Sequence, residues 1–355
     1  MRNKGDLLTV VNSVAPIRVC DNGGWTDTWF AEYGSIFNIA VCPYVEVQMF
    51  VFENRGGKER ITINAENYGE KYTISEPNGL YDKHPLLEAA FDYMHIPRDV
   101  AIEVSIYSEA PSGCSTGTSA AVSVALIGAL DLLTPGRLVP HEVSQVAHKI
   151  ETELLGQQCG IQDQIASAYG GINYIEMHKY PHASVSQIIV PEAVWWELES
   201  RLLLIYLGQA HSSSEVHQQV IKELTGTGSD CQKLNALRDA ARESRDALYD
   251  GDLPRLGKAM IKNTDAQATL HPSLVSPRHQ IVIDAARSHG AIGWKVNGAG
   301  GNGGSVTVLC AADRTSKRTL VKAVHDTCPE LTNIPIQLSH FGLRVWKSEA
   351  AASRN

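Results

Sequence analysis

The chain of 355 residues is 43% hydrophobic and 20% charged, an ordinary globular composition with room for one large or two medium domains. Its 31 Lys and Arg against 39 Asp and Glu give a formal net charge of -8 with no basic run, so nucleic acid and anionic membrane surfaces are poor partners and an anionic ligand needs a locally basic pocket. The 7 cysteines show neither a CxxC pair nor a zinc-site spacing, the N-terminal LLTVV is too short for a signal-peptide core, and no apolar run reaches membrane-spanning length; the expectation is a reduced, cytoplasmic protein.

Strand patterns fill the first third. YVEVQMFVF from Tyr44 alternates, RITI and KYTI follow, and in VAIEVSIY the residues Val100, Ile102, Val104 and Ile106 share one face. That strand runs into EAPSGCSTGTSAAVSVALIGALDLL, a loop of small residues that opens an apolar helix. HEVSQVAHKIETELLG reads as an amphipathic helix ending at Gly156, and CGIQDQIASAYGG as a short helix stopped by Gly170 and Gly171. Pro181 and Pro191 flank mixed sequence between Tyr180 and Arg201, where the boundary is expected. Beyond it come a buried strand at Leu202, long helical patterns to about Gly290, AIGWKV, a glycine loop, SVTVL, a helix across Thr315 to His325, and the strands IPIQLS and GLRVWK. Strands first, then helices with an open sheet, describe an α+β protein in two halves, 1–195 and 196–355.

Three Gly/Ser-rich segments carry the chemistry. The loop before the apolar helix holds Ser112, Gly113, Ser115, Thr116, Gly117, Thr118 and Ser119. The first N–H groups of a helix lack intrahelical partners and sit at the positive dipole end, so a loop this small-sided suits a phosphate; a plain N-cap needs only one such residue. It is neither a Walker A motif nor GxGxxG. Read alone, GGWTD is a turn with Trp25 a core residue, GAGGNGG a flexible hairpin, Glu151 a solvated helix charge and Asp163 a helix cap.

In order and content the three segments resemble the GHMP kinase superfamily, the galactokinase, homoserine kinase, mevalonate kinase and phosphomevalonate kinase group. Its central motif, Pro-x-x-x-Gly-Leu-Gly-Ser-Ser-Ala-Ala, is matched by Pro111, Gly117, Thr118, Ser119, Ala120 and Ala121, with Ser115 and Thr116 in place of Gly-Leu. The resemblance implies a two-domain fold, ribosomal S5 domain 2-like then ferredoxin-like, with ATP phosphates cradled by residues 111–119, Cys114 among them. A thiol at a helix N-terminus tends to a lowered pKa, so Cys114 is expected to alkylate and to be shielded by Mg·ATP. By the same match Ser119 and Glu151 reach Mg²⁺, a hard cation suited to oxygen ligands. The galactokinase-like CGIQDQ makes Asp163 the base that takes the acceptor hydroxyl proton, and Arg18 the cation holding it ionised. Asp27 is then the grip on sugar hydroxyls, with Gly23 and Gly24 admitting the sugar ring. Gly298, Gly300 and Gly301 belong to a loop that closes on the phosphate loop, with Lys295 an extra positive charge beside it.

Within the family, DNGGWTD is similar to the D-glycero-D-manno-heptose-7-phosphate kinase and L-fucokinase branch rather than to galactokinases, which implies transfer of the ATP γ-phosphoryl group to an anomeric hydroxyl. An acceptor already phosphorylated needs a second anion site, for which His211, Ser212 and Ser213 at a helix start, and Arg278, are the candidates. The alternatives are a fucose- or galactose-type free-sugar kinase, a sugar and ATP sensor without turnover, and the superfamily's decarboxylase branch, against which CGIQDQ speaks. The sequence leaves the oligomeric state open, a homodimer included.

Overall fold

The structure, a computed structural model, describes residues 4–56, 59–74, 79–209, 220–222, 224, 228–229 and 231–348. In chain order the strands of the first half are β1 (Lys4–Asn22), β2 (Gly34–Asn54), β3 (Ile61–Ala65), β4 (Glu70–Ile74), β5 (Val100–Ser108), β6 (Ile172–Lys179) and β7 (His182–Gln187). Its helices are α1 (Pro85–Tyr93), α2 (Thr118–Asp131), α3 (Pro140–Lys149) and α4 (Gln162–Tyr169). The second half carries α5 (Glu192–Arg201), β8 (Leu202–Tyr206), α6 (Gln232–Tyr249), α7 (Leu253–Leu270), α8 (Pro277–Ser288), β9 (Gly293–Val296), β10 (Ser305–Leu309), α9 (Arg314–Thr327), β11 (Thr332–Ile334), β12 (Gln337–Leu338) and β13 (Arg344–Ser348).

Two sheets organise these elements. The larger runs β13–β1–β2–β5–β3–β4, with β6, β7 and β12 joined through β2. The smaller runs β11–β8–β10–β9, every pair antiparallel, the strand order of a ferredoxin-like split βαβ unit. This is the α+β, two-domain arrangement expected. β12 and β13 nevertheless return to the larger sheet, Leu338 beside Val41 and Val345 beside Ser13, so a division at 195/196 does not part sheet from sheet.

Past its first two residues α2 is almost wholly apolar because it is enclosed. Leu126, Ile127 and Leu130 lie in the same buried cluster as Ile17, Val47 and Ile102 of the sheet. α8 and α9 cover the small sheet through Val282, Ile283, Leu320 and Val324. α6 and α7 pack beneath the loop after β1, where Leu234, Leu237 and Leu270 meet Trp25 and Ala31.

The fully buried Arg238 of α6 fixes that loop. Its guanidinium donates to the carbonyls of Ala31 at 3.0 Å, Tyr33 at 2.9 Å and Ser229 at 2.8 Å, and stacks 3.8 Å above the Tyr33 ring. Replacing it by Met strands these buried carbonyls, so Arg238→Met is expected to cost about 3 kcal/mol, read as a lowered urea midpoint. An unchanged midpoint would remove Arg238 from this role.

Candidate active site

The site forms where four segments meet. β1 reaches it through a register shift between Val19 and Asn22, with Cys20 at φ 56. The irregularity takes Cys20 out of the ladder, so its N–H donates to Asn297 Oδ1 at 3.1 Å, and it turns the Asp21 carboxylate toward the glycine loop. The phosphate loop follows β5. Gly113, Ser115 and Gly117 take φ of 71, 60 and 70, so the serine standing where the family has glycine adopts the left-handed conformation all the same. β1 and the small sheet hold this loop in place: the Arg18 N–H donates to Thr116 O at 2.9 Å, and Ser305 Oγ to Cys114 O at 2.6 Å.

At the centre, Arg18 Nε donates to Asp163 Oδ1 at 2.8 Å and Nη2 to Oδ2 at 3.3 Å, while Nη1 binds Ser115 O. Burial alone would lower the Arg18 pKa, but the Asp163 and Asp21 carboxylates raise it above its ordinary value and keep the charge. Arg18 is 3% exposed and Asp163 29%, so the cation is sealed while the carboxylate faces the cleft. Gly117 makes this possible: a Cβ there would lie 3.1 Å from Asp163 Cγ.

The cleft has a volume of about 560 Å³, lined on this side by Arg18, Asp21, Asp27, Glu151, Asp163 and Gly298. Asp27 is buried, accepts the Gln162 N–H at 3.1 Å at the start of α4, and is pushed up to about 6 by burial. Gly160 gives it room, since a Cβ there would fall 1.9 Å from Asp27 Oδ2. Glu151 is no solvated helix charge: it sits in a π-helical turn, Ile150–Leu154, accepts from Gln164 Nε2 at 2.8 Å and is pushed up to about 7 by burial.

The residues match an oxygen-ligated cation and a phosphate chain in kind. Ser119 is exposed and Thr118 half-buried on the cleft wall, Glu151 lines the same cleft, and the buried Gln164 Oε1 beside Glu151 has no hydrogen-bond partner.

Several expectations need correction. Gly23 and Gly24 do not open to a ligand: a Cβ on Gly23 would meet Ser35 O at 2.0 Å, and Gly24 lies against Asp21 and Gln162. Arg278 is spent within the protein, on Leu207 O and Glu330, away from the cleft. Gly298 does press on the phosphate loop, 3.0 Å from Ser115 Cβ when given a Cβ, but Gly300 and Gly301 pack on Leu274 O. Lys295 is buried against Asp21 at 3.2 Å instead of facing the loop, its pKa lowered by burial. Cys114 is buried, and burial pushes its thiol up to about 11; α2 begins only at Thr118, so the expected activation is absent. Pro111 stands just behind the lining, its carbonyl accepting from the Cys114 N–H. His211, Ser212 and Ser213 lie outside the described residues.

Residues 85–171 match the profile of the GHMP kinases N terminal domain, a stretch containing the phosphate loop, Glu151 and Asp163. The chain is 31% identical over 246 residues to the mevalonate kinase of Thermococcus sibiricus, covering 69% of each protein. It belongs to the GHMP kinase family. Members of this family transfer a phosphoryl group from ATP. The chain is also 23% identical to the D-glycero-alpha-D-manno-heptose 7-phosphate kinase of Campylobacter jejuni, over 89% of this chain and 94% of the relative. A crystal structure of a D-glycero-D-manno-heptose 1-phosphate kinase from Bacteroides thetaiotaomicron superposes with a TM-score of 0.74 at 22% identity, covering 96% of this chain and 100% of that one; the likeness is one of fold. Among the described residues no helix of this GHMP kinase is long and apolar enough to cross a membrane.

Sequence reasoning missed Asp21, whose only signal is its place three residues after Arg18, and Gln164, half of the Asp-Gln pair in CGIQDQ. It also missed the far end of the cleft, where Pro85, Leu87 and Ile106 form an apolar wall near Asn67, itself paired with the Ser108 backbone. These come from five separate stretches and share no motif.

The Asp27 shift has a sign. The folded chain keeps that proton up to about pH 6, whereas the unfolded chain releases it near 3.8, so stability falls as pH rises through this window. The loss from this group is at most about 3 kcal/mol. Asp27→Asn keeps an acceptor for the Gln162 N–H, so its urea midpoints should fall less steeply between pH 4 and pH 6 than those of the native chain. Equal slopes would place the Asp27 pKa at its ordinary value.

Proposed function

We propose that this GHMP kinase transfers the γ-phosphoryl group of ATP to the anomeric hydroxyl of a sugar or sugar phosphate, of the heptose 7-phosphate type, giving a sugar 1-phosphate. The observation that carries the reading is the Arg18–Asp163 pair at the mouth of the phosphate loop, with Asp27 on the same wall. Similarity to the Campylobacter heptose 7-phosphate kinase over nearly the full length of both chains supports the acceptor class, as does the GGWTD segment.

The roles combine the family resemblance with the lining of the cleft. The apolar end by Pro85, Leu87 and Ile106 takes the nucleobase, and the N–H groups and hydroxyls of residues 112–119 take the phosphates. Ser119 and Glu151 hold Mg²⁺, which when bound neutralises charge on the phosphate oxygens. Asp163 accepts the acceptor hydroxyl proton as the oxygen attacks the γ-phosphorus and the bond to the β-phosphate oxygen breaks. Arg18 orients Asp163 and fixes its carboxylate plane through two bonds, while Asp27 accepts from sugar hydroxyls. Asp163→Asn is expected to lower kcat by about 10²-fold or more with Mg·ATP affinity within a few-fold of native. Near-native turnover would remove Asp163 from the role of base.

One observation favours a second reading, a free-sugar 1-kinase of the fucose or galactose type. Among the described residues the cations lining the cleft are Arg18 and Lys83, the first committed to Asp163 and Ser115, the second near the apolar end over the Tyr72 ring. Comparing kcat/KM for a heptose, its 7-phosphate, fucose and galactose, with ³¹P NMR of the product, decides between them. The 7-phosphate should be the better substrate, with phosphorus newly on C1. Preference for a free sugar establishes the second reading, and turnover of mevalonate alone overturns both; sugar and ATP binding with no turnover marks a sensor.

A further inference from the structure

Asp21 takes no part in the transfer roles proposed above, yet its carboxylate is buried among three partners. It is 1% exposed, and its two oxygens accept the Gly298 N–H at 2.9 and 3.2 Å. Lys295 Nζ approaches Oδ1 at 3.2 Å from β9, and Arg18 Nη2 stands 3.8 Å from Oδ2. On its other side Gly298 lies against Ser115, the residue whose carbonyl Arg18 holds. Gln267 Nε2 donates to Gly298 O at 3.0 Å and Gln267 Oε1 accepts from Lys295 Nζ at 3.0 Å, which closes a buried ring around one loop residue.

We propose that Asp21 is a positioning residue for nucleotide: its carboxylate anchors the Gly298 N–H and so holds the C-terminal glycine loop against the phosphate loop. This rests on the kinase reading. The chemistry has two parts. An N–H donated to a carboxylate is stronger than one donated to a neutral acceptor, and here it ties the second half of the chain to the first. A carboxylate beside a phosphate site would repel its ligand, but Lys295 and Arg18 offset that charge, so the anchor is electrically silent toward ATP. Lys295 therefore supports the loop from behind rather than gripping phosphate itself.

The test combines a Mg·ATP titration with amide hydrogen exchange on the full chain. Asp21→Ala is expected to weaken Mg·ATP binding about 10-fold or more. It should speed exchange in peptides covering 297–304 while those covering α4 keep the native rate. Asp21→Asn, which retains an acceptor oxygen for the Gly298 N–H, should recover part of both effects. Should Asp21→Ala fail to fold, the double variant Asp21→Ala, Lys295→Met leaves no single buried charge and is compared with Lys295→Met alone, so that the loss of Asp21 is the only difference read. Native affinity in the folded Ala variant, loosening of α4 along with the loop, or an Asn variant as impaired as Ala would each overturn the proposal. If the native chain itself binds no Mg·ATP, the kinase reading fails, and the exchange data still judge the anchor by themselves.

Discussion

A buried guanidinium must be neutralised where it lies, and much of this site is arranged around meeting that demand for Arg18. Leaving a buried charge single is strongly destabilising, typically by several kcal/mol, and in the folded chain Asp163, far away in sequence, supplies the partner. Bringing it there fixes the start of α4, and the Ser115 carbonyl and the Thr116 carbonyl, which accept from the Arg18 side chain and backbone, fix the phosphate loop in the same step. One side chain thus sets the distance between the small-residue loop before α2 and the carboxylate facing the cleft.

Around that pair the protein holds three further carboxylates in little water, and it treats each differently. Asp21 is matched by Lys295 and Arg18. Asp27 and Glu151 lack a comparable cation, and burial pushes them up to about 6 and about 7, where hydrogen bonds from Gln162 and Gln164 compensate in part. Carboxylates left under-compensated are a cost to the ligand-free fold and a ready acceptor for hydroxyls or a hard cation, the usual trade between stability and function.

Glycine serves three different needs in the same small volume. At Gly117 and Gly160 the missing Cβ makes room for a carboxylate that lines the cleft, at Gly298 for Ser115 of the loop before α2, and at Gly23 for the protein's own Ser35 carbonyl. Glycine in a motif does not say what approaches it, so the reading of Gly23 and Gly24 as openings for a sugar ring had the close approach right and the approaching group wrong.

The sequence by itself determined the class of fold and most strand and helix positions, because periodicity is a local property, and its resemblance to the GHMP kinases singled out the three segments. β3, β4, β5, β9 and β10 fall where alternation put them, and the apolar run after the loop is the enclosed α2. It also marked Arg18, Asp27, Glu151 and Asp163, all of which line one cleft. β1, interrupted by Pro16 and charge, and the β6–β7 hairpin lying partly in the expected boundary gave too weak a pattern to read. What only the tertiary structure decided is whom each polar group faces. Arg278 and Lys295 are cations of the same sign with comparable prospects in sequence, yet Glu330 takes one and Asp21 the other. Cys114 stands in the right loop with its thiol in the core. Charge pairing and burial are settled by neighbours distant along the chain, and no local pattern encodes which neighbour arrives.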